Sequence, residues 1–279
     1  MKHLFLFLLI AFSVNAFGQV SCPLIYDGDG DGSVGTTDLL GLLAEFGQTC
    51  DDDSLFSCGL SVAYQGYDYA TVQIGSQCWF AENLRNENYD NGDAIPSNLS
   101  DSEWETTNSG AVAVYGEDAG CDNYSPNINA CDAALSLQEY GRLYNRYAVD
   151  DLRGLCPTGW HVPTDGEWMT MEMALGMSEA EANGTGYRGA DQGTQMKTGY
   201  GWYNGGNGTN SSGFSGLPGG GRYYYFGYFG DAGSFGNWWS SSSPNGSSEW
   251  YRGLSSGNGS VSRFSGDRRS GFSVRCVQD

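Results

Sequence analysis

Eight cysteines, all after residue 18, constrain this chain more than any other feature: Cys22, Cys50, Cys58, Cys78, Cys121, Cys131, Cys156 and Cys276. An even set in an exported chain reads as a disulfide framework. The start of the chain supplies the export signal. Met1-Lys2-His3 is a short basic opening, Leu4–Val14 an apolar run, and Asn15-Ala16-Phe17-Gly18 a small-residue turn. This is the pattern of a cleaved secretory signal peptide over residues 1–18. The apolar run is shorter than the roughly 20 residues a membrane helix needs, and no later segment is longer, so no membrane span is expected. Thiolate zinc sites are disfavoured, because there is no CxxC pair and His161 is the one histidine after the leader. Spacing alone leaves the disulfide connectivity open.

The formal charge is −20, and losing Lys2 with the leader makes it more negative. Such a chain repels nucleic acid and anionic membrane surfaces and suits divalent cations at an outer surface. Glycine is very frequent, at 43 residues, which points to many turns and irregular loops. The 8 Trp, 18 Tyr and 13 Phe are enough to fill one sizeable core. The expected class is therefore α+β, loop-rich, with small antiparallel sheets and few short helices. Residues 22–50 form a small unit bounded by cysteines, 51–57 an acidic linker, and 58–279 one domain. In that domain Asp165–Leu175 carries Trp168, Met171 and Leu175 at helical spacing. Leu135–Val149 reads as a short helix or strand, and Thr71–Phe80 as a strand. Gly221–Phe229, Asn237–Ser242, Glu249–Leu254, Ser260–Ser265 and Phe272–Val277 read as further short strands at hairpin spacing. Residues 86–132 and 183–213 read as long polar surface insertions.

The sharpest chemical signal is Asp27-Gly28-Asp29-Gly30-Asp31-Gly32-Ser33-Val34-Gly35-Thr36-Thr37-Asp38. Carboxylates at loop positions 1, 3, 5 and 12, with Gly at 6, wrap a chain around one hard cation. Asp27, Asp29, Asp31 and Asp38 would give side-chain oxygens to Ca2+ and Ser33 its backbone carbonyl. The helix expected over Thr37–Phe46 has an apolar face of leucines and Phe46, closed by Gly47. Loop and helix together resemble a single dockerin repeat. Dockerins pair two such segments, so a cohesin-type partner is not expected here. A Cys22–Cys50 bridge would close this unit from both ends, and a unit this small needs such staples.

Six phrases of the larger domain carry a second resemblance: TVQIGSQCWFAENLR (71–85), GRLYNRYAV (141–149), CPTGWHVPTDGEW (156–168), GFSGLPGGGRY (213–223), WWSSS (238–242) and GFSVRCV (271–277). In this order they resemble the Fibrobacter succinogenes major paralogous domain, from about Tyr67 to the last residue. That family is similar to C-type-lectin-like and formylglycine-generating-enzyme-like folds, with HVPTDGEW paralleling the strand-to-helix entry of the latter. The resemblance implies an exported or surface-associated domain whose activity is not established. It also implies a Cys156–Cys276 bridge flanking the ends of the core. Cys121–Cys131 is read as a local loop staple and Cys58–Cys78 as the pair that remains.

No catalytic constellation stands out. His161 has no GxSxG serine to serve, GLPGGGR lacks the Lys and Ser/Thr of a phosphate loop, and no acid pair is singled out by spacing. Aromatic side chains suggest binding instead. Trp202, Tyr203, Tyr224, Tyr228, Trp238 and Trp239 are the candidate faces for stacking on sugar rings. Core packing is the competing reading for them. Ser243-Pro244-Asn245 lacks the glutamate of a lectin calcium–sugar motif. The expected function is a secreted or outer-surface binding protein for extracellular glycan or polysaccharide with a structural calcium unit. The alternative is an extracellular enzyme acting on polysaccharide or protein side chains.

Overall fold

The computed structural model describes residues 56–118, 120–244, 246 and 248–279, and of the earlier chain Thr36, which is helical and exposed. Apart from Thr36, the calcium loop, its helix, the leader and the Cys22/Cys50 pair therefore lie outside the described residues. The domain is α+β with small sheets and short helices, as its composition leads one to expect.

Two hairpins open it. β1 (Val62–Tyr64) pairs with β2 (Tyr67–Tyr69), and β3 (Thr71–Ile74) with β4 (Gln77–Phe80). The single strand expected over Thr71–Phe80 is thus two strands. Gly75 turns the chain at φ +62°, and a Cβ there would sit 2.7 Å from that of Ala174, so both conformation and space require glycine. A polar stretch follows, carrying α1 (Asp101–Thr106) and β5 (Val112–Ala113). Ser100 and Glu103 close a capping box on α1. Next come α2 (Ala133–Tyr140), capped by Asp132, then β6 (Leu143–Tyr144) and α3 (Arg146–Val149). β7 (Trp160–His161) leads into α4 (Asp165–Ala174), where Thr164 and Glu167 make a second capping box. α5 (Glu179–Ala182), β8 (Gly186–Arg188) and α6 (Gln192–Met196) precede β9 (Gly219–Arg222), β10 (Phe229–Ala232), β11 (Phe235–Trp239), β12 (Glu249–Ser255), β13 (Val261–Gly266) and β14 (Val277–Gln278).

The main sheet has six strands in the order β10-β9-β11-β12-β13-β8, antiparallel except where β9 meets β11. A four-stranded sheet, β3-β4-β14-β7, brings the start and end of the domain together. Three disulfides staple the described chain: Cys58–Cys78, Cys121–Cys131 and Cys156–Cys276. All three are the pairings anticipated for it.

Three expectations need correction. Gly221–Phe229 is not one strand: Phe226 and Gly227, at φ +64° and +65°, turn the chain between β9 and β10, leaving an aromatic loop at 223–228. Phe272–Val277 is mostly not a regular strand. It threads between elements, bridging Tyr144 at Phe272 and Trp238 at Ser273 before joining β14. The stretches 86–132 and 183–213 are not mere surface insertions, since they bury Tyr89, Trp104, Tyr115, Met196 and Trp202. Single aromatic residues set among polar ones gave no periodic signal there.

The core is aromatic. Trp79, Trp168, Phe214 and Trp238 interlock with ring centroids 4.9–6.3 Å apart. Tyr69, Phe80, Trp239 and Phe272 belong to a second cluster, and Trp104, Tyr115 and Phe229 to a third. Between α4 and the main sheet lies a buried ionic cluster. Glu172 accepts from Arg188 and Arg252, and Asp165 from Arg252 and Arg263.

Candidate functional site

A cleft of about 700 Å³ opens beside the β3–β4 hairpin. One wall is the strand exit Ala81–Arg85 with Tyr67, another the C-terminal turn of α2, and the third the loop from Thr198 to Leu217. Its walls are chemically mixed. The Tyr67 hydroxyl donates to Glu82 Oε1 at 2.6 Å, while Glu82 Oε2 accepts from the Ala70 amide at 3.0 Å. The Arg85 guanidinium lies 4.5 Å above the Tyr67 ring. Its Nη1 donates to the carbonyls of Leu137 and Gln138 at 2.6 and 2.9 Å, satisfying the end of α2. Arg85 is therefore committed to the scaffold. The carboxylate of Glu139, beside it, accepts no hydrogen bond from the described residues. Burial pushes its carboxyl above the ordinary range, against the pull of Arg85. Tyr200 stands across the opening with about half its surface exposed. Burial, then the charges of Glu139 and Glu82, raise its phenol.

The floor is rigid. Asn83 is buried, donates to the Tyr140 carbonyl at 2.9 Å, and accepts from Trp238 Nε1 at 2.8 Å and Arg275 Nε at 2.9 Å. Arg275 is itself fully buried and holds the backbone carbonyls of Phe214 and Ser215, with the Phe214 ring 3.9 Å away. Burial brings its pKa down to about 9. Above it, Asn210 and Ser215 bond each other through backbone and side chain at 2.7 and 2.9 Å. Both adopt left-handed φ (+52° and +54°), a strained state held by these contacts. Three of the recognisable phrases thus converge under this cleft: AENLR through Asn83, GFSG through Phe214 and Ser215, and SVRC through Arg275.

The aromatic residues singled out from sequence do not form a common face. Trp202, Trp238 and Trp239 are each no more than 1% exposed, so none offers a ring to a sugar. Their indole N–H groups are satisfied inside, by Thr198 Oγ1, Asn83 Oδ1 and the Tyr144 carbonyl. The physical reason is size: in a glycine-rich chain these rings are what the core is built from. Tyr203 is exposed and packs on Tyr124, with centroids 5.6 Å apart. Tyr224 and Tyr228 belong to the β9–β10 loop. Asp27, Asp29, Asp31, Ser33 and Asp38 lie outside the described residues. Among the described residues no group of three or more His, Cys, Asp and Glu is arranged to hold a metal. His161 is a clamp: Nδ1 meets Asp279 at 2.6 Å and Nε2 meets Glu167 at 2.8 Å.

The cleft residues Tyr67, Glu82, Arg85, Glu139 and Tyr200 were not singled out from the sequence. A signal was present in Glu82 and Arg85, two charges directly after a hydrophobic strand within the longest recognisable phrase. No curated protein and no solved structure matches the chain. The family model of the Fibrobacter succinogenes major domain matches residues 72–278, so the chain belongs to that family.

Proposed function

We propose that this protein is exported and binds extracellular glycan in the cleft between Tyr67 and Tyr200, with the 22–50 unit holding a structural calcium ion. One observation carries the binding reading. The cleft offers two partly exposed tyrosine rings beside Glu82, Gln138, Glu139 and Asn210, over a floor fixed by Asn83 and Arg275. A sugar chain needs that combination: apolar ring faces for its C–H surfaces and polar groups for its hydroxyls. The volume lies in the range of small-molecule sites and is large enough for several sugar rings. Three disulfides, and the absence among the described residues of a helix able to cross a membrane, are compatible with an extracellular protein.

Affinity electrophoresis against soluble polysaccharides, following a glycan array, tests the reading. Tyr200→Ala is expected to weaken retention about tenfold through loss of a stacking ring. Unchanged retention, or no glycan retained by the wild type, would remove the cleft as a glycan site.

A second reading, hydrolysis of the bound glycan, is favoured by the two carboxylates in the same cleft. Glu139 is raised by burial, as a general acid requires, whereas Glu82 is held by hydrogen bonds. Release of reducing ends that is lost in Glu139→Gln would establish it; binding without turnover would exclude it. Calcium is tested separately. Chelation should lower the melting temperature of the wild type, and Asp31→Ala should remove that sensitivity. Unchanged stability and no bound ion would refute the loop assignment.

A further inference from the structure

The main sheet carries a second pocket, of about 180 Å³, on the face turned away from α4. Strand pairing explains its shape. Tyr187 on β8 stands opposite Ser262 on β13, Ser262 opposite Gly253 on β12, and Gly253 opposite Asn237 on β11. Side chains alternate faces along a strand, so these four share one face, in a row across the sheet. Three of them are small or short, and the row forms a trough. Aromatic rings wall it. Phe264 meets Tyr187 edge-on with centroids 5.7 Å apart, and Tyr251 packs on Phe272 at 4.8 Å.

The floor is polar and prearranged. Asn237 is 7% exposed and Ser262 is 4% exposed. A Cβ at Gly253 would meet Ser262 Oγ at 2.5 Å and Asn237 Oδ1 at 3.1 Å, so both oxygens look into the space that this glycine leaves. Asn237 uses its amide nitrogen for one long bond to the Gly220 carbonyl, 3.4 Å, and its Oδ1 takes no donor from the described residues. This oxygen faces the pocket with its acceptor capacity free for a hydroxyl that displaces water. At the far end Asp231, held at φ +71° within β10, accepts the Tyr223 hydroxyl.

We propose that this trough binds a single neutral sugar ring, a chain end or a branch. This rests on the glycan reading of the protein and adds a second site to it. The volume is below that of drug-sized ligand sites and suits one ring. The aromatic walls pack against the C–H face of a pyranose, and Asn237 Oδ1 and Ser262 Oγ, whose own proton goes to the Gly253 carbonyl at 3.1 Å, accept from its hydroxyls. No Lys or Arg lines the trough and Asp231 does, so a uronate or sulfated sugar would meet a carboxylate with no cation to balance it.

The test titrates the full protein with methyl glycosides of neutral hexoses up to ~20 mM, in the weak range expected of one ring. The Gly253 backbone amide and the Asn237 side-chain amide resonances report the site. At least one hexoside should shift both saturably, and methyl glucuronide should shift neither. Tyr187→Ala, at an exposed wall, should weaken this binding at least fivefold, and Gly253→Ala should abolish it by filling the trough. Tyr200→Ala in the cleft should leave it unchanged. If no hexoside shifts these resonances, or glucuronide shifts them equally, the trough is not this site, whatever the cleft does. Loss of hexoside binding in Tyr200→Ala but not Tyr187→Ala would also overturn the proposal while supporting the cleft.

Discussion

Replacing Glu172 with Gln changes one atom in a cluster that holds α4 onto the main sheet. Glu172 is 0% exposed. It accepts from Arg188 Nη2 and Nη1 at 2.8 and 2.9 Å, and from Arg252 Nε at 2.7 Å. Asp165 takes the remaining load, with Arg252 Nη1 at 2.7 Å and Arg263 Nη2 at 2.6 Å. Three guanidinium groups therefore face two carboxylates, and Gln at 172 leaves three facing one. The amide also turns a donor toward Arg188. Breaking a buried pair by removing one partner costs about 3–5 kcal/mol. For a domain of this size that corresponds to a fall in Tm of ~6–20 °C. The double variant Glu172→Gln/Arg188→Met removes one charge of each sign and should be more stable than Glu172→Gln alone, with a coupling of ~1–3 kcal/mol. Urea unfolding monitored by tryptophan fluorescence measures both, provided the slope with denaturant stays constant. A loss below ~1 kcal/mol in Glu172→Gln would refute the claim that this charge is needed where it lies.

Other outcomes can be measured alongside. Opening Cys156–Cys276 with paired serines should destabilise most, by ~5 kcal/mol for a separation of 120 residues; Cys58–Cys78 at 20 and Cys121–Cys131 at 10 follow at ~3.3 and ~2.7 kcal/mol, as chemical denaturation of the three double-serine variants would rank them. Burial opposes the charged form of His161, but its bonds to Asp279 and Glu167 outweigh that and raise its pKa. Its contribution should thus be complete below the unfolded value near 6.5 and be lost as pH rises through the folded value. Thermal scans from pH 5 to ~9 should show this decline in wild type, and a His161→Gln variant that keeps the same slope would disprove it.

Some of this architecture was legible in the sequence. The α4 helix is legible in the helical spacing of Trp168, Met171 and Leu175, to which the structure adds the Thr164–Glu167 capping box at its start. β12 and β13 appear as short runs between glycine-rich turns, at nearly the observed bounds. The hidden parts are those fixed by distant partners. The chain at 271–273 pairs with Arg222, Tyr144 and Trp238 in turn, and local pattern contains none of those partners. The cleft was hidden for the same reason. Asn83 and Arg275 are 192 residues apart, and the first reads as an ordinary polar residue until Arg275 and Trp238 are seen to share its oxygen.

The aromatic residues show how burial divides labour in such a chain. All the described tryptophans apart from Trp160 and Trp250 are fully buried. An indole fills the largest volume per residue and asks for one acceptor; Trp202, Trp238 and Trp239 find theirs in Thr198, Asn83 and a backbone carbonyl. Tyrosine has a hydroxyl that water satisfies, so it is the cheaper ring to leave outside. Tyr200 at the cleft and Tyr187 at the trough are half exposed, consistent with that division. A bare count of aromatics therefore mixes two populations. In a glycine-rich fold the tryptophans mark the core, and the tyrosines that stand at a cavity edge are where a ligand's ring can be met.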